Sequence, residues 1–195
     1  MERAIIIVAL AISVAGLGHC NKTHAADNTI IIDQIGSGNQ TVVAQDGSNN
    51  YASIITGGIS DVAYSVFSIA QQGNNKTASI EVKSGINNTA NIQQSGAGNH
   101  TASIQNLNGS GNNINISQQG DGNHEFNVIT GAGTTNNGNT VTATQSGNEN
   151  KSFNLLLNGA TGATATINQS GAANAGSMTI QCMPGTCGTW SYTRN

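Results

Sequence analysis

Charge is what this chain has least of. Charged residues make up 8% of its 195 residues and aromatic residues 4%, where a soluble globular protein carries about 25% charged residues. Surface repulsion therefore cannot be what keeps it in solution, and a wide core of Phe and Leu is excluded. Six Lys and Arg residues leave no basic patch for nucleic acid. The single proline and net charge of −3 set the chain apart from disordered tracts, which are proline-rich or strongly charged. Acidic residues are scattered, mostly in turns (Asp46, Asp121, Glu149), and no Ser/His/Asp arrangement recurs. That argues against an enzyme, which needs clustered carboxylates or a nucleophile with its base. The Gly-Gly-x-Gly-x-Asp nonapeptide of calcium-binding repeats is also missing.

Long apolar runs are nearly absent. The exception, Ala4 to Leu17 after Arg3, is shorter than the ~20 residues of a membrane-spanning helix. With "THA" at 23–25 it reads as a secretory signal, residues 1–25, cleaved after Ala25. A lipoprotein signal using Cys20 is the rival, disfavoured by His19 where a small residue is wanted. Cys182 and Cys187 flank a Pro-Gly turn in "CMPGTC", and in an exported protein such a pair reads as a disulfide.

What the chain does have is Gly, Asn, Ser, Thr, Ala and Gln, arranged as a repeat. Gln45, Gln71, Gln94, Gln118, Gln145 and Gln169 recur at intervals of 26, 23, 24, 27 and 24 residues. Two residues after each stands a glycine: Gly47, Gly73, Gly96, Gly120, Gly147 and Gly171. An asparagine follows at Asn50, Asn75, Asn99, Asn123, Asn150 and Asn174, the second one residue early. Half-repeats such as "QIGSGNQTVVAQ", from Gln34 to Gln45, divide each unit into two short segments closed by Gly/Asn turns.

The segments alternate. Two residues before each glutamine stand Val43, Ile69, Ile92, Ile116, Ala143 and Ile167, and four before stand Thr41, Phe67, Ala90, Ile114, Val141 and Ala165. Period two with β-branched residues predicts strands with these positions on one face. The return segments offer Ala52/Ile54, Ala78/Ile80, Ala102/Ile104, Phe126/Val128, Phe153/Leu155 and Met178/Ile180. The expected fold is all-β: a narrow β-solenoid of about seven two-stranded coils over residues 26–181, roughly 30–35 Å long at ~4.8 Å per coil. The stretches 57–66 and 130–139 are expected as enlarged arcs or bulges, and residues 182–195 as a disulfide loop and aromatic tail that either caps the end or forms a specialised interface.

Stacked in this way, the glutamines form an internal ladder, because a primary amide both donates and accepts and so can bond its copies above and below. Asn50, Asn99, Asn123, Asn150 and Asn174 are expected to form a companion ladder in the arcs. No cofactor, small-molecule substrate or metal is implied. Just after the asparagines come Tyr51, Lys76, His100, His124, Lys151 and Ala175. Turn exposure favours reading them as solvated; a pH-sensitive His100/His124 column and a two-imidazole metal site are the alternatives.

The pattern Gln-x-Gly-x-x-Asn-x-Ala, with glutamine again eleven residues on, resembles the curlin repeat of curli fibre subunits. "QIGSGNQTVVAQDGSNNYASI" (34–54) and "KSGINNTANIQQSGAGNHTASIQ" (83–105) carry the likeness. It departs from the family where Asn39, Asn88, Asn112 and Asn139 replace a serine that Ser65 retains, and in its C-terminal cysteine pair. The resemblance implies a secreted subunit of extracellular amyloid fibres, with itself, other curlin subunits and a curli-type outer-membrane export machinery as partners. The alternatives are a minor, nucleating subunit, a monomeric solenoid adhesin, or an ice-binding protein, the last suggested by "TVTAT" at 140 and "TATI" at 164.

Overall fold

A computed structural model describes residues 4–7, 27–57, 62–131, 134–182 and 186–195. The signal-peptide reading of residues 1–25 falls outside them except at Ala4–Ile7. Every element is a strand: β1 Ala4–Ile7, β2 Thr29–Gln34, β3 Gly36–Ser37, β4 Gln40–Asp46, β5 Tyr51–Thr56, β6 Val62–Ala63, β7 Val66–Gln72, β8 Thr77–Ile86, β9 Thr89–Ser95, β10 Thr101–Asn108, β11 Asn113–Gln119, β12 His124–Thr130, β13 Thr140–Ser146, β14 Lys151–Leu157, β15 Thr164–Gln169, β16 Asn174–Ile180 and β17 Thr189–Arg194. They form two sheets that share the chain coil by coil. One runs β1-β2-β5-β8-β10-β12-β14-β16, the other β17-β15-β13-β11-β9-β7-β4. Among the described residues all pairings between coils are parallel, and only β1 lies antiparallel, against β2. The fold is thus a β-solenoid of seven turns.

The in-register columns explain why short, polar segments hold together. Ile32, Ile54, Ile80, Ile104, Val128, Leu155 and Met178 stack in one sheet. Val43, Ile69, Ile92, Ile116, Ala143, Ile167 and Tyr192 stack in the other. Counting coil 1 as β2 with β4 and coil 7 as β16 with β17, these side chains are buried from coil 2 (β5, β7) to coil 6 (β14, β15), each large one contributing roughly 1.5–3 kcal/mol. Phe126 and Phe153 stack at 5.5 Å, and Tyr192 tilts onto Phe153 at 4.9 Å. The core is therefore a row one or two side chains wide, long rather than broad, and each coil draws its burial from its two neighbours.

The enlarged arcs are in-register additions. Within 57–66, β6 pairs with both β3 and β8. Within 130–139, Asn137 bridges to Thr161. Two sequence expectations need correction. The return-strand pair in the last coil is Gly176/Met178, not Met178/Ile180, since Phe153 registers with Gly176 and Leu155 with Met178. The solenoid also does not end at residue 181: β17 pairs with β15 over six positions and is the seventh strand of its sheet. Cys182 and Cys187 are joined within the arc that leads to it.

Candidate functional site

The six glutamines lie in one column, and five consecutive bonds join their side chains. Gln45 Nε2 donates to Gln71 Oε1 at 2.7 Å, Gln71 to Gln94 at 3.0 Å, Gln94 to Gln118 at 2.8 Å, Gln118 to Gln145 at 2.8 Å and Gln145 to Gln169 at 2.7 Å. Each Nε2 spends its second proton across the coil, on the carbonyl of Thr29, Tyr51, Thr77, Thr101, Glu125 or Ser152 in turn. From Gln71 to Gln169 these side chains are at most 2% exposed. Both amide protons and the oxygen are thus used without water, which removes the 1–3 kcal/mol or so that an unpaired buried group costs. Every link runs the same way, donor in one coil and acceptor in the next, so the ladder has a polarity.

A second ladder runs along the opposite arc, on residues the sequence marked only as departures from a family serine. Asn39 Oδ1 accepts the Ser65 N–H at 3.0 Å, Ser65 Oγ the Asn88 N–H at 3.1 Å, Asn88 Oδ1 the Asn112 N–H at 3.0 Å and Asn112 Oδ1 the Asn139 N–H at 3.1 Å. The Nδ2 groups of Asn88, Asn112 and Asn139 donate to the carbonyls of Gly109, Asn136 and Ala160. Asn88, Asn112 and Asn139 are at most 1% exposed. Their periodicity was visible in the sequence; that the side chains reach the next coil's backbone was the missed step.

The arc asparagines divide differently from the sequence reading. Asn99, Asn123 and Asn150 are exposed and form a surface file, the Asn99 N–H donating to Asn123 Oδ1 and the Asn123 N–H to Asn150 Oδ1, both at 2.9 Å. Asn50 and Asn174 belong to another column, the one holding Lys76, His100, His124 and Lys151. The cause is arc length. From ladder glutamine to this column is five residues in three arcs (45–50, 71–76, 169–174) and six in the others (94–100, 118–124, 145–151). Counting from glutamine alone therefore merged two columns, and put Tyr51 and Ala175 in the histidine column, where they do not belong. The arc glycines are dictated by both conformation and space. At Gly96 φ is 102°, and a Cβ would lie 2.2 Å from the Gly120 carbonyl oxygen.

Lys76, His100, His124 and Lys151 are buried, at most 2% exposed, which overturns the reading of solvated turn residues. Their polar ends serve the arcs. Asn28 and Asn50 donate to the carbonyls of Gly47 and Gly73. Lys76 Nζ donates to Gly96 O at 2.8 Å and Gly98 O at 3.0 Å, and Lys151 Nζ to Glu149 O at 3.0 Å and Gly171 O at 3.1 Å. Between the lysines, the two imidazoles stack 4.7 Å apart. His100 Nε2 contacts Ser95 O at 2.8 Å; neither ring nitrogen of His124 has a hydrogen-bond partner among the described residues. Burial pushes both histidine pKa values down, His124 to about 4, with the neighbouring His100 and Lys151 charges adding to the shift. The carbonyls of Ser95 and Gly120 and the nearby Asp121 (for His100) and the carbonyls of Glu149 and Gly147 (for His124) oppose it. Lysine burial lowers the pKa of Lys76 and Lys151 as well.

The two ends of the stack differ. At one end Gln45 Oε1 is buried and has no hydrogen-bond partner among the described residues. At the other, Arg194 registers with Gln169 and occupies the ladder column, with Trp190, which is exposed, and the half-buried Tyr192 in register with Ala165 and Ile167 on the same strand. A guanidinium accepts no hydrogen bond, and Gln169 Nε2 turns instead to Asn174 Oδ1.

A family model, the curlin associated repeat, matches residues 25–55, the window that holds β2, β4, Gln45, Gly47 and Asn50. No curated protein and no solved structure matches the chain. The later coils superpose the same hydrogen-bonding positions on that first unit. The chain is an all-β solenoid carrying the curlin associated repeat at residues 25–55.

Proposed function

We propose that the chain is the secreted structural subunit of a curli-like extracellular amyloid fibre, polymerising edge to edge to serve biofilm matrix, surface adhesion and cell aggregation. The observation that carries this reading is the glutamine ladder, which crosses the molecule as a one-way file and stops at an unpartnered acceptor, Gln45 Oε1. A globular protein covers or charges its open strand edges. Here β4 ends its sheet with no further strand among the described residues. An apolar leader at 1–25 and a disulfide both fit export, and the curlin repeat makes a curli-type outer-membrane machinery the candidate exporter and other curlin subunits candidate partners. The role is mechanical, not catalytic. The test is incubation of the purified protein: Congo-red-binding fibres with a meridional reflection near ~4.7–4.8 Å support the reading, and a persistent monomer at high concentration contradicts it.

One observation favours a second reading. On the outer face of the last coils Thr140, Thr142 and Thr144 register with Thr164, Thr166 and Asn168, and these with Thr189, Ser191 and Thr193. Such a threonine-rich array in register is what an ice-binding solenoid needs, and thermal hysteresis of the monomer decides it.

A further inference from the structure

We propose that the Cys182–Cys187 disulfide is a redox latch for the last strand. Oxidised, it holds β17 on β15; reduced, it lets β17 leave, and β15 becomes the end of its sheet. The inference does not rest on the fibre reading.

The lengths of the crossings between the two sheets carry it. In coil 6 the chain passes from Leu157 to Thr164 in seven positions, whereas the matching crossing in coil 7, Ile180 to Thr189, takes nine. A longer crossing holds the strand beyond it less firmly, because the entropy cost of closing a loop rises with its length. Coils 2 and 5 also have long crossings, ten positions from Thr56 to Val66 and from Thr130 to Thr140. There the strand that follows is held from both sides, β7 by β4 and β9, and β13 by β11 and β15. Among the described residues β17 has β15 alone. The cross-link thus falls in the long crossing that leads to a strand paired on one side.

β17 has little burial of its own to oppose fraying. Its side chains are exposed except for the half-buried Tyr192, which rests on Phe153 at 4.9 Å. The disulfide supplies the missing constraint. It brings the Cα atoms of Cys182 and Cys187 to 5.4 Å, so the covalent path skips the four residues between them. Gly188 alone then separates the cross-link from β17. The Cys187 N–H donates to Thr161 O at 2.7 Å and the Thr164 N–H to Gly188 O at 3.1 Å, which seats the cross-linked end on coil 6. Both cysteines are half-buried, so a small thiol can reach them. In the exchange two thiols of the reductant give up two electrons and two protons and join as a disulfide, while the Cys182–Cys187 bond breaks to two thiols. The crossing then regains its full length, and Ala165 and Ile167, each 1% exposed under β17, meet water. The last coil therefore closes fully only where the surroundings are oxidising, as they are outside the cell.

The experiment takes the full chain carrying Cys20→Ser, in which Cys182 and Cys187 are the remaining cysteines, and measures amide hydrogen exchange with and without dithiothreitol. Protection of Thr189–Arg194 is expected to fall at least tenfold on reduction, with β9 to β13 unchanged. Emission from Trp190, the single tryptophan, is expected to move to longer wavelength. Adding Cys182→Ser and Cys187→Ser is expected to reproduce the reduced pattern and make it insensitive to dithiothreitol. Deleting Met183 and Pro184 from that variant gives the crossing the length it has in coil 6, and is expected to bring protection back to within about threefold of the oxidised protein without any disulfide. Equal protection of β17 in the two redox states overturns the latch. Protection lost along the whole chain overturns it too, because the pair then holds the entire fold rather than one strand.

Discussion

Gln118 Nε2 lies 2.8 Å from Gln145 Oε1 at the centre of the molecule, with both side chains shielded from water. Truncation there strands an acceptor that only the coil below can supply. Gln118→Ala is expected to lower unfolding stability by about 2–4 kcal/mol, combining the unpaired amide with the cavity. Urea unfolding measures it.

The two asparagine files make opposite predictions from one residue type. Asn112 is buried and bonds to coils on both sides, so Asn112→Ala is expected to cost about 2 kcal/mol or more. Asn99 is exposed, and Asn99→Ala is expected to change stability by less than about 0.5 kcal/mol. Equal urea midpoints for the two variants would contradict the assignment.

Glycine substitution separates conformation from space. Gly96→Ala meets both a positive φ and the Gly120 carbonyl. Gly138 has φ 61° and nothing within 4 Å of an added Cβ. Gly138→Ala is expected to cost only the left-handed penalty, about 1–2 kcal/mol, and Gly96→Ala clearly more, read from thermal unfolding of both variants side by side.

Stability should depend on acidity through His100 and His124. Both pKa values lie below the ordinary histidine value of 6.5, His124 at about 4. Between those values the unfolded chain binds the proton and the folded one does not, so stability is present above pH 6.5 and declines as pH falls toward 4. The value of about 4 for His124 sets the lower end of that window. His124→Asn, which places there the amide that Asn50 uses in the same column, is expected to flatten the profile between pH 7 and 4.5. An unchanged slope in that variant would assign the pH dependence elsewhere.

The all-β class, the seven coils and the glutamine column were legible because spacing alone carries them: Gln, Gly at plus two, and β-branched residues at minus two and minus four. The buried Asn88–Asn112–Asn139 file was visible only as a periodic departure, since sequence does not say which carbonyl an amide will meet. The arc columns were misread for a concrete reason: one-residue changes in arc length between Gln45–Asn50 and Gln94–His100 slide every later position. Burial of His100 was not legible either, because a turn residue is ordinarily wet and only the coils stacked above and below close this one. β17 looked like a tail because the arc between Ile180 and Thr189 breaks the period, though its register with β15 restores it.

The axial rise per subunit in a fibre tests the central claim most directly. If seven coils of each copy continue into the next, helical reconstruction will find a rise of about 33–34 Å per molecule, seven times the ~4.8 Å strand spacing. A rise of about 4.8 Å per molecule, one flattened chain in each layer, would contradict it.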